Sequence, residues 1–200
     1  MDRAELGAAL RDYAYLEGDF VLRSGRRSRY YLDKYRFETV PELLGPLGEL
    51  IAETVSEHEP DAVRLAGPEL GAVALAAAAS LSSGLPFLIV RKEAKEYGTK
   101  KLIEGEFAPG ERALMVDDVV TSGGAKLDAV TPFRDAGLVV EDVLVIVDRS
   151  DGGASALADA GLRLHSVLDV RSLLDNLRAH GAVPVADIDR ALDFLAGGPA

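Results

Sequence analysis

Residues 113–125 read ALMVDDVVTSGGA, and few stretches of this length restrict a fold so tightly. Four apolar residues run into Asp117 and Asp118, two more apolar residues follow, and then come Thr121, Ser122, Gly123 and Gly124. An unpaired carboxylate is costly to bury, so an apolar run normally ends at its first charge. The pattern makes sense if the run is a core strand of a parallel sheet whose carboxyl end opens on a ligand crevice. Both acids would then stand at the crevice and not in the core. The turn TSGGA leads into a helix, and N–H groups at a helix N-terminus with hydroxyls beside them cradle an anion. Glycine lets a ligand approach the backbone closely.

The rest of the chain alternates as such a sheet requires. Strands are expected at 62–67 (AVRLAG), 86–90 (PFLIV), 112–119, 140–149 and 162–170. Helices are expected over 71–81, 124–136 and 153–160, and then at about 171–180 and 185–196. Pro41 opens a helix running to about His58, with Leu43, Leu44, Leu47, Leu50, Ile51 and Val55 apolar. The 71–81 helix, GAVALAAAASL, is so rich in alanine that it must pack closely on a neighbour. Pro132 removes a hydrogen bond from the 124–136 helix and predicts a kink.

The first 40 residues do not alternate. A helix is expected over 2–16 with Leu6, Leu10, Tyr13 and Leu16 on one face, followed by extended segments FVLRSG and SRYYLDKYRFE around a Ser-Gly turn. The expected architecture is one α/β domain with helices on both faces of a parallel sheet. It has a small N-terminal lobe over about 1–40, a core over about 41–170 and C-terminal helices over about 171–200.

The net charge of −11 speaks against a nucleic-acid partner. It conceals an uneven distribution. Residues 21–36 hold six basic side chains and one acid, and residues 91–101 hold five and two. The other 173 residues carry a net charge of −19. A cationic site on an anionic body suits a small, multiply charged anion. Cysteine is absent and three histidines lie far apart, which leaves no cysteine or histidine metal site to expect. The stretch MDRAELGAALRDYAY lacks a signal-peptide layout, and no apolar run is long enough to span a bilayer, so a cytoplasmic protein is expected. Carboxylates beside a phosphate cradle suit vicinal hydroxyls or a Mg²⁺ ion, and together these describe a ribose phosphate.

The segment from Ala113 to Ala125 resembles the phosphoribosyl pyrophosphate (PRPP) signature of type I phosphoribosyltransferases. Four further segments are similar to orotate phosphoribosyltransferases, including the part fused to a decarboxylase in uridine monophosphate synthases. RKEAKEYGTKKLIEGEF (91–107) resembles their mobile catalytic loop, and FVLRSGRRSRYYLD (20–33) their orotate segment. VLVIVDRSDGG (143–153) resembles their strand ending in Asp-Arg, and LRLHSVLDVRSLLDNL (162–177) their C-terminal segment. Arg23, Arg29, Ala74 and Tyr97 depart from common family residues, but none removes a charge the chemistry requires.

The resemblance implies a fold with an N-terminal hood and a set of roles. Lys95, Lys92, Asp117 and Asp118 would be catalytic, with the two aspartates on the ribose hydroxyls. Val119, Val120, Thr121, Ser122, Gly123, Gly124 and Ala125 would complete the 5′-phosphate end of the PRPP site. Arg91, Lys92 and Lys95 would hold pyrophosphate beside the turn Glu69, Leu70 and Gly71. Arg23, Tyr30, Tyr31, Thr121 and Arg149 would hold orotate. The resemblance further implies Mg²⁺ bound mainly through PRPP without dedicated protein ligands, and a homodimer whose 91–105 loop reaches the neighbouring site. A phosphoribosyltransferase for another base and a non-catalytic PRPP-binding regulator remain open alternatives.

Overall fold

The structure is a computed structural model that describes residues 3–21, 27–93, 102–121, 123–149, 155–179, 185–186 and 188–189. Six strands form the main sheet in the order β5-β4-β3-β6-β7-β8. β3 (Arg64–Pro68), β4 (Phe87–Val90), β6 (Arg112–Val120), β7 (Val139–Asp148) and β8 (Arg163–Asp169) run parallel, and β5 (Ile103–Glu104) adds an antiparallel edge that the sequence reading did not anticipate. With only two residues, β5 carries no periodicity to read.

The central strands are apolar on both faces because both are covered. On one face, Leu114 and Val116 of β6 and Leu144 and Ile146 of β7 join α1 (Arg3–Ala14), α3 (Pro41–His58), α4 (Val73–Ser83) and α7 (Val170–Ala179). On the other, Met115, Val143 and Val145 join α5 (Gly124–Asp135) and α6 (Ser155–Asp159). Alternate residues therefore enter alternate cores, as the strand pleat dictates. Because α4 and α5 lie on opposite faces, the crossover direction reverses between β3 and β6. That reversal opens a crevice at the carboxyl ends of these two strands.

The alanine-rich α4 does pack closely. A Cβ added to Gly48 of α3 would come within 2.7 Å of the Ala78 backbone. Pro132 lies inside α5, which continues past it to Asp135.

The N-terminal region differs from expectation at two points. α1 ends at Ala14 and Tyr15 already belongs to β1 (Tyr15–Val21), which pairs antiparallel with β2 (Arg27–Leu32). Leu6 and Leu10 are buried, whereas Tyr13 is exposed and Leu16 sits on a strand. Residues expected to stay extended instead form α2 (Lys34–Glu38), capped by Asp33, whose side chain accepts from Tyr35 N at 3.2 Å. The cap supplies the local signal for this turn.

Gly48→Ala should destabilise the protein by about 1–3 kcal/mol through overpacking. Gly45→Ala, three residues earlier on α3 with nothing within 4 Å of the added Cβ, should be neutral or stabilise by about 0.5–1 kcal/mol. Urea unfolding of the two variants beside the parent checks both.

Candidate active site

Asp117 and Asp118 lie within β6 and not at its end, because the strand continues through Val120. Both are buried, at 5% and 4% exposure, so the expectation that they stand outside the core needs correcting. They tolerate burial because each has its own cation. The pleat turns Asp117 toward α5, where Lys126 Nζ donates to its Oδ2. It turns Asp118 to the opposite face, where Lys34 Nζ of α2 donates to its Oδ2. Lys126 also approaches Asp118 Oδ1 at 3.7 Å. Burial pushes the Asp117 carboxyl up, against the pull of Lys126. Burial lowers the Lys34 ammonium, but the hydrogen bond and charge of Asp118 outweigh it and raise the net value.

The turn after β3 closes the crevice from the other side. The Glu69–Leu70 peptide is cis, Leu70 is 68% exposed and Gly71 is buried. A Cβ on Gly71 would lie 2.6 Å from Asp118 Oδ2 and closer still to Lys34 Nζ, so a side chain there would have to push these two groups aside. Glu69 reaches back to the end of β4. Its Oε1 accepts from Lys92 N at 2.9 Å and its Oε2 lies 3.8 Å from Arg91 Nη1. The turn and the two cations expected to share pyrophosphate with it are thus held together.

Beyond β6, Thr121 is exposed and Gly123 adopts φ +78° as the N-cap of α5, with its carbonyl accepting from Lys126 N at 2.9 Å. The first-turn residues Gly124 and Ala125 are exposed, and a Cβ on Gly124 would meet nothing within 4 Å. Val119 and Val120 remain in the strand, and Arg149 N donates to Val120 O at 3.0 Å, which brings Arg149 beside the cradle. Tyr30 and Tyr31 lie on β2, where the Tyr31 and Phe20 rings face each other at 5.4 Å. Arg23, Lys95 and Ser122 lie outside the described residues.

Three residues near the acids had no role in the sequence reading: Lys34, Glu38 and Lys126. Lys126 did carry a signal. It sits in the first turn of α5, where the helix dipole disfavours a cation, so a buried acid nearby was a reasonable inference. Glu38 carried none. It is 3% exposed at the end of α2, and its Oε1 has no hydrogen-bond partner among the described residues. Burial first, and then Asp118, push its carboxyl up to about 8.

A strand-borne acid pair, a turn after β3 and a glycine cradle opening α5 at the switch point of a parallel sheet define a type I phosphoribosyltransferase. No protein-family model matches the chain. The orotate phosphoribosyltransferase of Methanocella arvoryzae is 46% identical over 157 residues, covering 78% of this chain and 88% of that protein. The structure is similar to UMP synthase of Leishmania donovani, with a TM-score of 0.87 and 31% identity over 97% of this chain and 42% of that one. It is also similar to Mycobacterium tuberculosis orotate phosphoribosyltransferase in complex with PRPP, with a TM-score of 0.72 and 34% identity over 86% of this chain and 99% of that one. The chain belongs to the orotate phosphoribosyltransferase family, whose members are pentosyl-transferring enzymes.

Lys126→Met should leave Asp117 buried beside Asp118 without its counter-ion and cost about 3–5 kcal/mol of stability. Adding Asp117→Asn should recover part of the loss, a coupling that a double-mutant cycle of unfolding free energies measures.

Proposed function

We propose that this chain transfers the phosphoribosyl group of PRPP to orotate, giving orotidine 5′-monophosphate and pyrophosphate in pyrimidine biosynthesis. The observation that carries the reading is the meeting of the β6 acids, the Glu69–Gly71 turn and the α5 cradle in one crevice, in a chain of this family. Asp117 and Asp118 accept hydrogen bonds from the ribose hydroxyls. The residues from Thr121 to Ala125 receive the 5′-phosphate. Arg91, Lys92 and Lys95 take up charge as pyrophosphate leaves, and the carboxylates favour the positive charge that develops on the ribose. Arg149 pairs with the orotate carboxylate, with Arg23, Tyr30, Tyr31 and Thr121 around the ring.

Magnesium belongs to the same proposal. Among the described residues no cluster of three or more acids or histidines is arranged to hold a metal, and the two aspartates nearest the crevice are each paired with a lysine. This donor set suits an ion whose ligands come chiefly from pyrophosphate and ribose oxygens. When bound, Mg²⁺ neutralises phosphate charge. No helix among the described residues is long and apolar enough to cross a membrane. A cytoplasmic location is part of the proposal, supported by substrates that are multiply charged anions. So is a homodimer with a shared site, supported by the resemblance of 91–105 to a loop that acts across subunits.

The ultraviolet absorbance of orotate should fall on addition of PRPP and Mg²⁺, with uracil, hypoxanthine and adenine unchanged in parallel. A change with another base instead would overturn the orotate assignment. Lys95→Ala should lower turnover by orders of magnitude while leaving PRPP affinity nearly unchanged. Mixing it with Asp118→Asn should restore part of the activity through hybrid dimers, and no recovery after subunit exchange would refute the shared site.

A further inference from the structure

The two buried acids are neutralised unequally. Lys126 is enclosed, with a side chain only 8% exposed, and is fixed to the fold through α5. Lys34 is 33% exposed and comes from a five-residue helix. Its ammonium fills the gap between Asp118 and Gly71. That gap joins the ribose acid to the pyrophosphate turn, so a ligand that touches both must move Lys34. One helical turn further along α2 stands Glu38, buried and with Oε1 unpartnered among the described residues. Residues four apart share a helix face with Cβ atoms about 5–6 Å apart, within reach of a lysine stem.

Resting on the PRPP reading of the site, we propose that Lys34 is a displaceable counter-ion: the ribose hydroxyls of PRPP replace it on Asp118, it turns onto Glu38, and Glu38 releases its proton to solvent. The step breaks one O–H bond at Glu38 and forms one ion pair, with the proton leaving to the buffer.

The charges around Glu38 support this. Those that act on it are Asp118 and Asp117 of β6, Lys34 of α2 and Asp33 at its cap. α1 and α3, which pack on α2, supply the apolar Leu6, Leu10, Leu43 and Leu47 to the cluster that contains Phe37. The three acids disfavour a fourth carboxylate there while Lys34 stays on Asp118, so the Glu38 carboxyl is held up to about 8, first by its burial. Transfer of the ammonium to Glu38 reverses that balance. The consequence for catalysis is that Asp118 loses its nearer counter-ion, and keeps only Lys126 at 3.7 Å from its Oδ1, when a ribose sits on it. The carboxylate is thereby already freed before pyrophosphate leaves and positive charge develops on the sugar.

Calorimetry of PRPP with Mg²⁺ at neutral pH, in buffers of different ionisation enthalpy, counts the protons released per site. The parent should release about one more proton than Glu38→Gln, and Lys34→Met should lose the same proton. Inorganic pyrophosphate, which has no ribose, should release equal numbers from parent and Glu38→Gln. In the unaltered protein, isotope-edited infrared spectra should show a protonated glutamate band that disappears with PRPP and persists with pyrophosphate. Equal release by parent and Glu38→Gln in the presence of PRPP binding, or an unchanged band, overturns this inference and leaves the PRPP site standing. A Glu38-dependent proton released by pyrophosphate alone overturns it as well. Failure to bind PRPP at all overturns both readings.

Discussion

Two adjacent carboxylates buried in one strand set the terms for everything around them. Asp117 and Asp118 could not occupy the middle of β6 as bare charges, since each would forfeit its hydration with nothing in return. The pleat sends them to opposite faces, so two cations must arrive from two directions. Lys126 comes from α5, nine residues later in the chain, and Lys34 comes from α2, more than 80 residues earlier. These pairs fasten α5 and the N-terminal region to the central strand. The same contacts that make the acids tolerable therefore also position the cradle and one wall of the crevice.

The crevice exists because the crossover direction reverses between β3 and β6. The reversal leaves room at the strand ends, and Gly71 keeps that room from being filled by a side chain. Glu69 then ties the exit of β4 to the same turn through Lys92 and Arg91. At the opposite end of the sheet the charges form a separate network. Arg112 and Arg163 pair there with Glu59, Glu141 and Asp142. Asp142 is held down to about 2, where Arg163, Glu59 and His165 outweigh its burial. The acidic body thus contains its own ionic cluster, two arginines among three acids, at the end of the sheet away from the ligand crevice.

Much of the core and part of the site could be read from sequence. β6 and β7 announced themselves through continuous apolar runs, α3 through Pro41 and its leucine spacing, and the close packing of α4 through its alanines. The acid pair and the glycine turn raised the expectation of a ribose-phosphate site, and the structure brings the acids, Gly71 and the start of α5 together at one crevice. The two-residue β5 and the one-turn α2 were not readable. Such short elements are fixed by pairing and capping contacts, and periodicity does not report those. The ends of α1 and β1 were misplaced for a related reason: Tyr13 and Leu16 continue a helical pattern that strand pairing with β2 overrides at Tyr15.

By itself the sequence determined that strands alternate with helices, that an acid pair precedes a glycine cradle, and that the positive charge is concentrated in two segments of an acidic chain. These properties are local, and composition and spacing carry them directly. Only the tertiary structure decided that the acids are buried, which lysines neutralise them, and that buried Glu38, on the same helix as one of those lysines, has an Oε1 without a hydrogen-bond partner among the described residues. Those facts depend on which residues meet across 84 positions of sequence, and the cost of burying charge makes such meetings decisive for the site.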